Sequence, residues 1–135
     1  MAEDAADQLI AAFVAAFKAD ATIGSTCGDR VFNYVPRRTQ EPYIIVHITD
    51  SDEWDTDTDD GEEHSVYIHV WDDKEGSKRV NQIMRRVKEL LHDEMASFSL
   101  TDHNLVNCRR VSKQVVRDGQ LYHGIGLFRA ITEET

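Results

Sequence analysis

Nine carboxylates stand among the fourteen residues from Asp50 to Glu63, with no Lys or Arg between them: Asp50, Asp52, Glu53, Asp55, Asp57, Asp59, Asp60, Glu62 and Glu63. Such a density of oxygens suits hard cations, so calcium is the first chemistry to test. An EF-hand loop needs oxygens at positions 1, 3 and 5, Gly at 6 and a bidentate Glu at 12. From Asp55, Gly61 falls at position 7 and Val66 at position 12. The flanking segments also read as strands, not helices. The run is not an EF-hand, and its hydrated carboxylates would bind divalent ions only loosely. It does not suit acid–base catalysis either, which needs one carboxyl in an apolar pocket to raise its pKa.

The remaining chemistry-bearing residues form no known constellation. His47, His64, His69, His92, His103 and His123 show no HxxxH or HxH spacing. His47 and His69 are expected as neighbours on adjacent strands, in a structural role. There is no GxSxG, no Cys/His signature and no glycine pattern of a nucleotide loop. Cys27 and Cys108 are far apart, belong to no CxxC and are expected as reduced thiols. No catalytic residue, metal site or cofactor is expected.

Three arginine pairs complete the charged features: Arg37-Arg38, Arg85-Arg86 and Arg109-Arg110. The formal charge is −10, and the acidic run holds nearly all of it. A chain otherwise close to neutral has no basic face for a DNA duplex. An acidic surface on one side and arginines on another is what head-to-tail association requires, because heterologous contacts join different surfaces. Candidate subunit-interface residues are Arg37, Arg38, Trp54, Arg85, Arg86, Arg109, Arg110, Lys113 and Arg117.

The elements that position these residues follow from periodicity. At 135 residues and 41% apolar content the chain suits one domain with a real core, over residues 1–135. Residues 3–19 read as a helix with Ala6, Leu9, Ile10, Phe13, Ala16 and Phe17 on one stripe. Its acidic start is unlike a signal peptide, and no run approaches the ~20 apolar residues of a membrane span. "TIGSTCGDR" reads as a loop. Strands are expected at Arg30–Pro36, Tyr43–Thr49 and Ser65–Trp71. A helix begins near an Asp72/Glu75 capping box, or at Gly76-Ser77, and runs to His92. Its stripe is Val80, Ile83, Met84, Val87, Leu90 and Leu91. "SFSL" reads as a short strand.

Two long strands, Leu105–Arg117 and Gln120–Thr132, then meet at Asp118-Gly119, a two-residue turn expected to be type I′. It pairs Val115 with Tyr122. Within the acidic run "WDTDTD" alternates, so it is expected to extend a hairpin turning near Asp60-Gly61. The "GIG" of Gly124–Gly126 marks a bulge or a close approach.

The fold class is α+β: an antiparallel-rich mixed sheet with two main helices on one face and long hairpins. The expected core is Phe13, Phe17, Ile45, Ile68, Val70, Ile83, Val87 and Leu90. The final hairpin carries apolar residues on both faces. That excess implies either a sheet covered on both sides by its own chain or one covered by another subunit.

Four segments, in order, resemble the tail terminator (tail completion) proteins of long-tailed phages and gene transfer agents. They are "VFNYVPRRTQEPYIIV", "WDTDTDDGEEHSVYIHVWDD", "VKELLHD" and "RDGQLYHGIGLFRAITEE". The resemblance covers nearly the whole chain and implies a non-enzymatic particle protein in the neck region of the tail, made in the bacterial host cytoplasm. It implies a ring of self-associated copies, typically six-fold, at the head-proximal end of the tail tube. The ring would stop tube polymerisation, contact the major tail tube protein and meet a head-side connector or stopper protein. DNA would pass through its bore without specific binding, and no membrane is involved. The acidic run would then line a lumen or a subunit interface. An adaptor one layer nearer the capsid, and a Ca²⁺-binding module, are the alternative readings.

Overall fold

The computed structural model describes residues 4–56 and 60–135. The first helix, α1 (Ala5–Ala19), starts where the Asp4 side chain accepts the amide of Ala6 at 2.8 Å. Ala5, Leu9, Phe13 and Phe17 form its buried stripe. The helix stops at Asp20, and the next begins there. The Asp20 carboxylate caps α2 (Ala21–Cys27) by accepting the amide of Ile23 at 3.0 Å. The expected loop "TIGSTCGDR" is therefore mostly helix. Ile23 and Cys27, four residues apart, bury together on it, and Gly28 ends it at φ 62°.

The strand expected over Arg30–Pro36 shrinks to β1 (Val31–Phe32), which runs parallel to Ile44–Ile45. Beyond it, the Asn33 side chain donates to the Val46 carbonyl at 2.9 Å. The next two strands are longer than their apolar parts: β2 is Tyr43–Glu53 and β3 is Gly61–Asp72. They form an antiparallel hairpin that carries the acidic residues at its end. Trp54–Thr56 and Asp60 lie outside both strands, so the described part of "WDTDTD" is not strand.

The helix α3 (Lys78–Leu91) begins after Ser77, not at an Asp72 cap. It buries Val80, Ile83, Met84, Val87 and Leu91, with Leu90 packed at the margin. Where "SFSL" suggested a strand there is a 3₁₀ turn, Met95–Ser97, and then irregular chain. Phe98 sits edge-on to Phe13 at 5.0 Å, so its apolar residues serve the core without pairing in a sheet.

The last two strands, β4 (His103–Asp118) and β5 (Leu121–Glu134), form the longest hairpin. Its turn residues are Gly119 and Gln120, because Asp118 pairs with Leu121. Gly119 has φ 62° and Gln120 is not at positive φ, the pattern of a type II′ turn. Val115 therefore pairs with Gly124, not Tyr122. From Ser112 to the turn, that shift of two keeps each side chain on its expected face, since the pleat has period two; the breaks at Val111 and Val106 change the register beyond it.

The sheet order is β1-β2-β3-β5-β4, mixed but mostly antiparallel, as the α+β reading expected. One face packs on α1 and α3 through Ile44, Val46, Val66, Ile68, Val70, Phe128 and Ala130. Ile44, not Ile45, enters this core. "YIIVHI" is apolar at both parities, and only the helices decide which isoleucine is covered. Gly124 lets α3 lie close: a Cβ there would stand 2.9 Å from Met84 Sδ and 3.2 Å from Val80 Cγ2. That is the close approach that "GIG" suggested.

Candidate functional site

The acidic run gathers at one end of the sheet. Asp50, Asp52 and Glu53 are on β2, Glu62 and Glu63 open β3, and Asp55 and Asp60 lie in the connection. Asp57 and Asp59 lie outside the described residues. The register opposes like charges: Asp52 faces Glu63, and Glu53 faces Glu62. Each such pair costs on the order of 0.2–1 kcal/mol, so neither acid is there to hold the hairpin together. What holds it is the ladder of β5 alongside, together with local polar contacts. Arg129 binds Glu63 at 2.7 Å, and Asp55 accepts the Gly61 amide at 3.1 Å.

The pleat sends these acids to opposite faces. Glu53, Asp55, Asp60, Glu62 and Glu134 surround a pocket of about 320 Å³ beside His103. Burial, and then the negative charges of Asp4, Glu53 and Glu134, push the Glu62 carboxyl above the usual range. His103 is 8% exposed, and its Nδ1 finds no hydrogen-bond partner among the described residues. Deeper in, His64 is satisfied on both sides, by Ser51 at 2.7 Å and Thr132 at 2.9 Å.

The opposite sheet face carries Tyr43, Ile45 and His47 on β2, Tyr67, His69 and Trp71 on β3, and His123, Ile125 and Leu127 on β5. All nine are half-buried, and no described helix lies over them. Here the imidazoles form a stack. His47 lies 4.9 Å from His69, His69 lies 5.0 Å from His123, and Trp71 covers His123 at 3.8 Å. His69 Nδ1 and His123 Nε2 share a hydrogen bond of 2.8 Å, which needs one ring to donate and the other to accept. The expected adjacency of His47 and His69 holds. Sequence reading did not see His123 join them, because its partner is 54 residues away.

This stack makes stability depend on pH. Burial, and then the neighbouring His47 and His123, hold His69 at about 4. Burial also lowers His64 and His123. A histidine lowered in the fold is protonated first in the unfolded chain, so its contribution is full above the ordinary 6.5. That contribution is lost as pH falls toward the folded value. After discounting for partial exposure, His69 should account for about 1–2 kcal/mol between pH 7 and pH 5. Tm should fall by about 3–6 °C over that interval. Thermal melts of His69→Gln should show a flatter profile.

The arginines do not share one role. Arg86 is engaged inside the chain, its Nη2 2.7 Å from Asp20 Oδ1, and it lashes α3 to the junction of α1 and α2. Its guanidinium is thus paired within the chain, with 32% of the side chain still exposed. Arg37 and Arg38 are exposed in the β1–β2 connection. Arg109 is 4.0 Å from Asp93, an exposed and weak pair. Arg85, Lys88, Arg110 and Lys113 line a groove of about 720 Å³ between α3 and β4, together with Glu89 and Glu94. Arg117 reaches the Gly119 carbonyl at 3.1 Å and lies over Tyr122. Trp54 is 47% exposed beside the acids. Val106 (39% exposed) and Val111 (51%) were not anticipated. Both fall at breaks in the β4–β5 register, which period-two reading cannot locate.

The fold has a counterpart among known structures. The family described as "Tail completion protein gp17" matches residues 11–133, and the chain belongs to that family. It is a structural protein of the virion tail. A chain of the virion of a native gene transfer agent particle shares its fold, with a TM-score of 0.80 and 23% identity. That match covers 98% of this chain and 99% of the other. No curated protein matches.

Proposed function

We propose that the protein acts without catalysis, as a ring of identical copies on the head-proximal end of the tail tube. The ring stops tube growth, joins the tail to the head-side connector and lets DNA through its bore. One observation carries this reading: seven described carboxylates gather at one end of the sheet, with like charges opposed across strands and only a few local partners such as Arg129. Such a surface has to be explained by what it meets.

DNA in transit must not adhere. A basic bore would bind phosphates by counterion release and stall the duplex. An acidic one repels it. Two unit charges ~7 Å apart in water interact by only ~0.6 kcal/mol, and salt screens them over ~8 Å. A single copy therefore does little. Ring symmetry multiplies the effect, because the fields add around one channel and low-dielectric walls focus them.

Electron micrographs of tails made without the protein test the reading directly. Overlong tubes are expected. Tubes of normal length lacking heads would instead make it an adaptor nearer the capsid. Reversing charge at Asp55, Asp57 and Asp59 to Lys should leave the isolated chain folded, with Tm changed by only a few degrees. Transfer or infection titre should fall at least tenfold. An unchanged titre would defeat the acidic-channel part of the proposal.

A further inference from the structure

The pocket beside His103 offers acceptors and negative charge. Five acidic residues line it: Glu53, Asp55, Asp60, Glu62 and Glu134. Among the described residues, no Lys or Arg forms an ion pair with any of the five. Asp55 holds the Gly61 amide, and the Thr132 hydroxyl is engaged with His64. His103 lines the same pocket, is nearly all buried, and leaves its Nδ1 without a partner among the described residues. Buried polar atoms are nearly always paired, so such an orphan calls for an explanation. The raised carboxyl of Glu62 has a related origin, in burial first and then the charges of Asp4 and Glu53.

Such a lining fits a cation rich in hydrogen-bond donors. A bare metal ion matches it poorly. Among the described residues no three His, Cys, Asp or Glu side chains converge as metal ligands, and a cavity of about 320 Å³ is far larger than one ion. A guanidinium matches it well. It is planar, always charged, carries five N–H donors, and meets carboxylates two bonds at a time. It is also more weakly hydrated than an ammonium, so it leaves water more readily. A neutral imidazole adds one more acceptor, at whichever nitrogen lacks the proton. We infer that the pocket receives an arginine side chain from a second copy of this chain, donated by the Arg37-Arg38 turn.

The other arginines are occupied. Arg79, Arg86, Arg109 and Arg129 each meet an acid within the chain. Arg30 holds the Pro42 carbonyl and Arg117 that of Gly119. Arg85 and Arg110 share their groove with Glu89 and Glu94. Arg37 and Arg38 remain, both exposed in the β1–β2 connection and neither bound to another described residue. Tyr34, 77% exposed, stands in the same connection. Arg38 has φ 59°, a left-handed conformation uncommon outside glycine. Neither arginine lines the pocket of its own chain. Turn and pocket are different surfaces, so joining them is heterologous, the kind of contact that closes a ring. It leaves Asp50, Asp52 and Glu63, on the opposite sheet face, to the bore.

The inference rests on the ring reading, and the test separates the two. Glu62→Lys with Glu134→Lys makes the pocket basic, and Arg37→Glu with Arg38→Glu makes the turn acidic. In producing cells lacking the wild-type gene, each pair of changes alone should lower titre by about tenfold or more. A chain carrying all four should restore it to within a few-fold, because the attraction returns with both signs reversed. A cross-link reads the contact without reversing charge. Gln40→Cys with Asp60→Cys keeps both arginines, Glu62 and Glu134, and the native Cys27 and Cys108 are buried. Intact particles of this variant, treated with a short bis-maleimide, should yield covalent dimers and higher multiples of the chain. Either single cysteine variant should yield none. Normal titre from either charge pair alone, or no recovery in a fourfold variant that melts like wild type, would overturn the inference. So would an absence of multiples, or linkage of the Asp60→Cys variant to a different particle protein. Rings seen by microscopy in those cases would leave the ring reading standing. Wild-type tail ends without a ring of this chain would remove both.

Discussion

Arg79→Ala is expected to destabilise the protein by about 3–5 kcal/mol, the range for breaking a buried pair and stranding its charge. The stranded charge is Asp72, the last residue of β3, which is 0% exposed. Arg79 grips both its oxygens, with Nε 3.1 Å from each and Nη2 on Oδ1. The Lys74 amide adds a bond of 3.2 Å. Without the guanidinium the buried carboxylate keeps only the Lys74 amide of these bonds. The reverse truncation is milder, because the Arg79 side chain is 26% exposed and can turn to solvent. Asp72→Asn removes the charge but keeps an acceptor for Lys74, and should cost about 1–2 kcal/mol. The discriminating measurement is denaturant unfolding of the double variant. Arg79→Ala with Asp72→Asn should be more stable than Arg79→Ala alone, since it strands no charge. A double variant no better than the single would show that the pair's charge is not what matters.

Gly61→Ala is expected to cost about 2–3 kcal/mol through overpacking. A Cβ at Gly61 would stand 2.6 Å from the Trp54 carbonyl oxygen and 2.9 Å from that of Thr132. Both are backbone atoms where the ladder closes: Trp54 donates to the Gly61 carbonyl at 2.8 Å, and Gly61 pairs with Glu133. Neither can yield without opening the acidic end of the hairpin. Faster proteolysis within 54–60 should accompany the loss of stability, while the rest of the fold persists. Gly24→Ala is the control. A Cβ there meets nothing within 4 Å, and the position is helical, so it should be neutral or stabilising by about 0.5–1 kcal/mol. Gly61 therefore belongs to the strand ladder, and its resemblance to a calcium-loop glycine is incidental.

The central strands and main helices were legible because their signals are local. Tyr43–Thr49 and Ser65–Trp71 alternate and are rich in β-branched and aromatic residues, and α3 has an uninterrupted stripe. Other features hid behind local propensity. The acids within 50–53 and at 62–63 have poor strand propensity, yet they are strand because β5 runs beside β3 as far as Gly61. Gly24 and its polar neighbours hid α2, whose Asp20 cap and Ile23/Cys27 pair needed a core to rest on. The candidate site divides in the same way. Its acids were readable as a run, but not their separation into an open face and a pocket with His103.

By itself the sequence determined the α+β class, the segregation of nearly all net charge into one segment, and the family resemblance. Each of these depends on composition, period or residue order along the chain. Only the tertiary structure decided that Ile44 rather than Ile45 enters the core, and that Arg86 is spent on Asp20. It alone set His123 against His69 and broke the β4–β5 register at Val106 and Val111. Those outcomes depend on contacts between residues far apart in sequence, where packing and register choose among alternatives that local periodicity leaves equal.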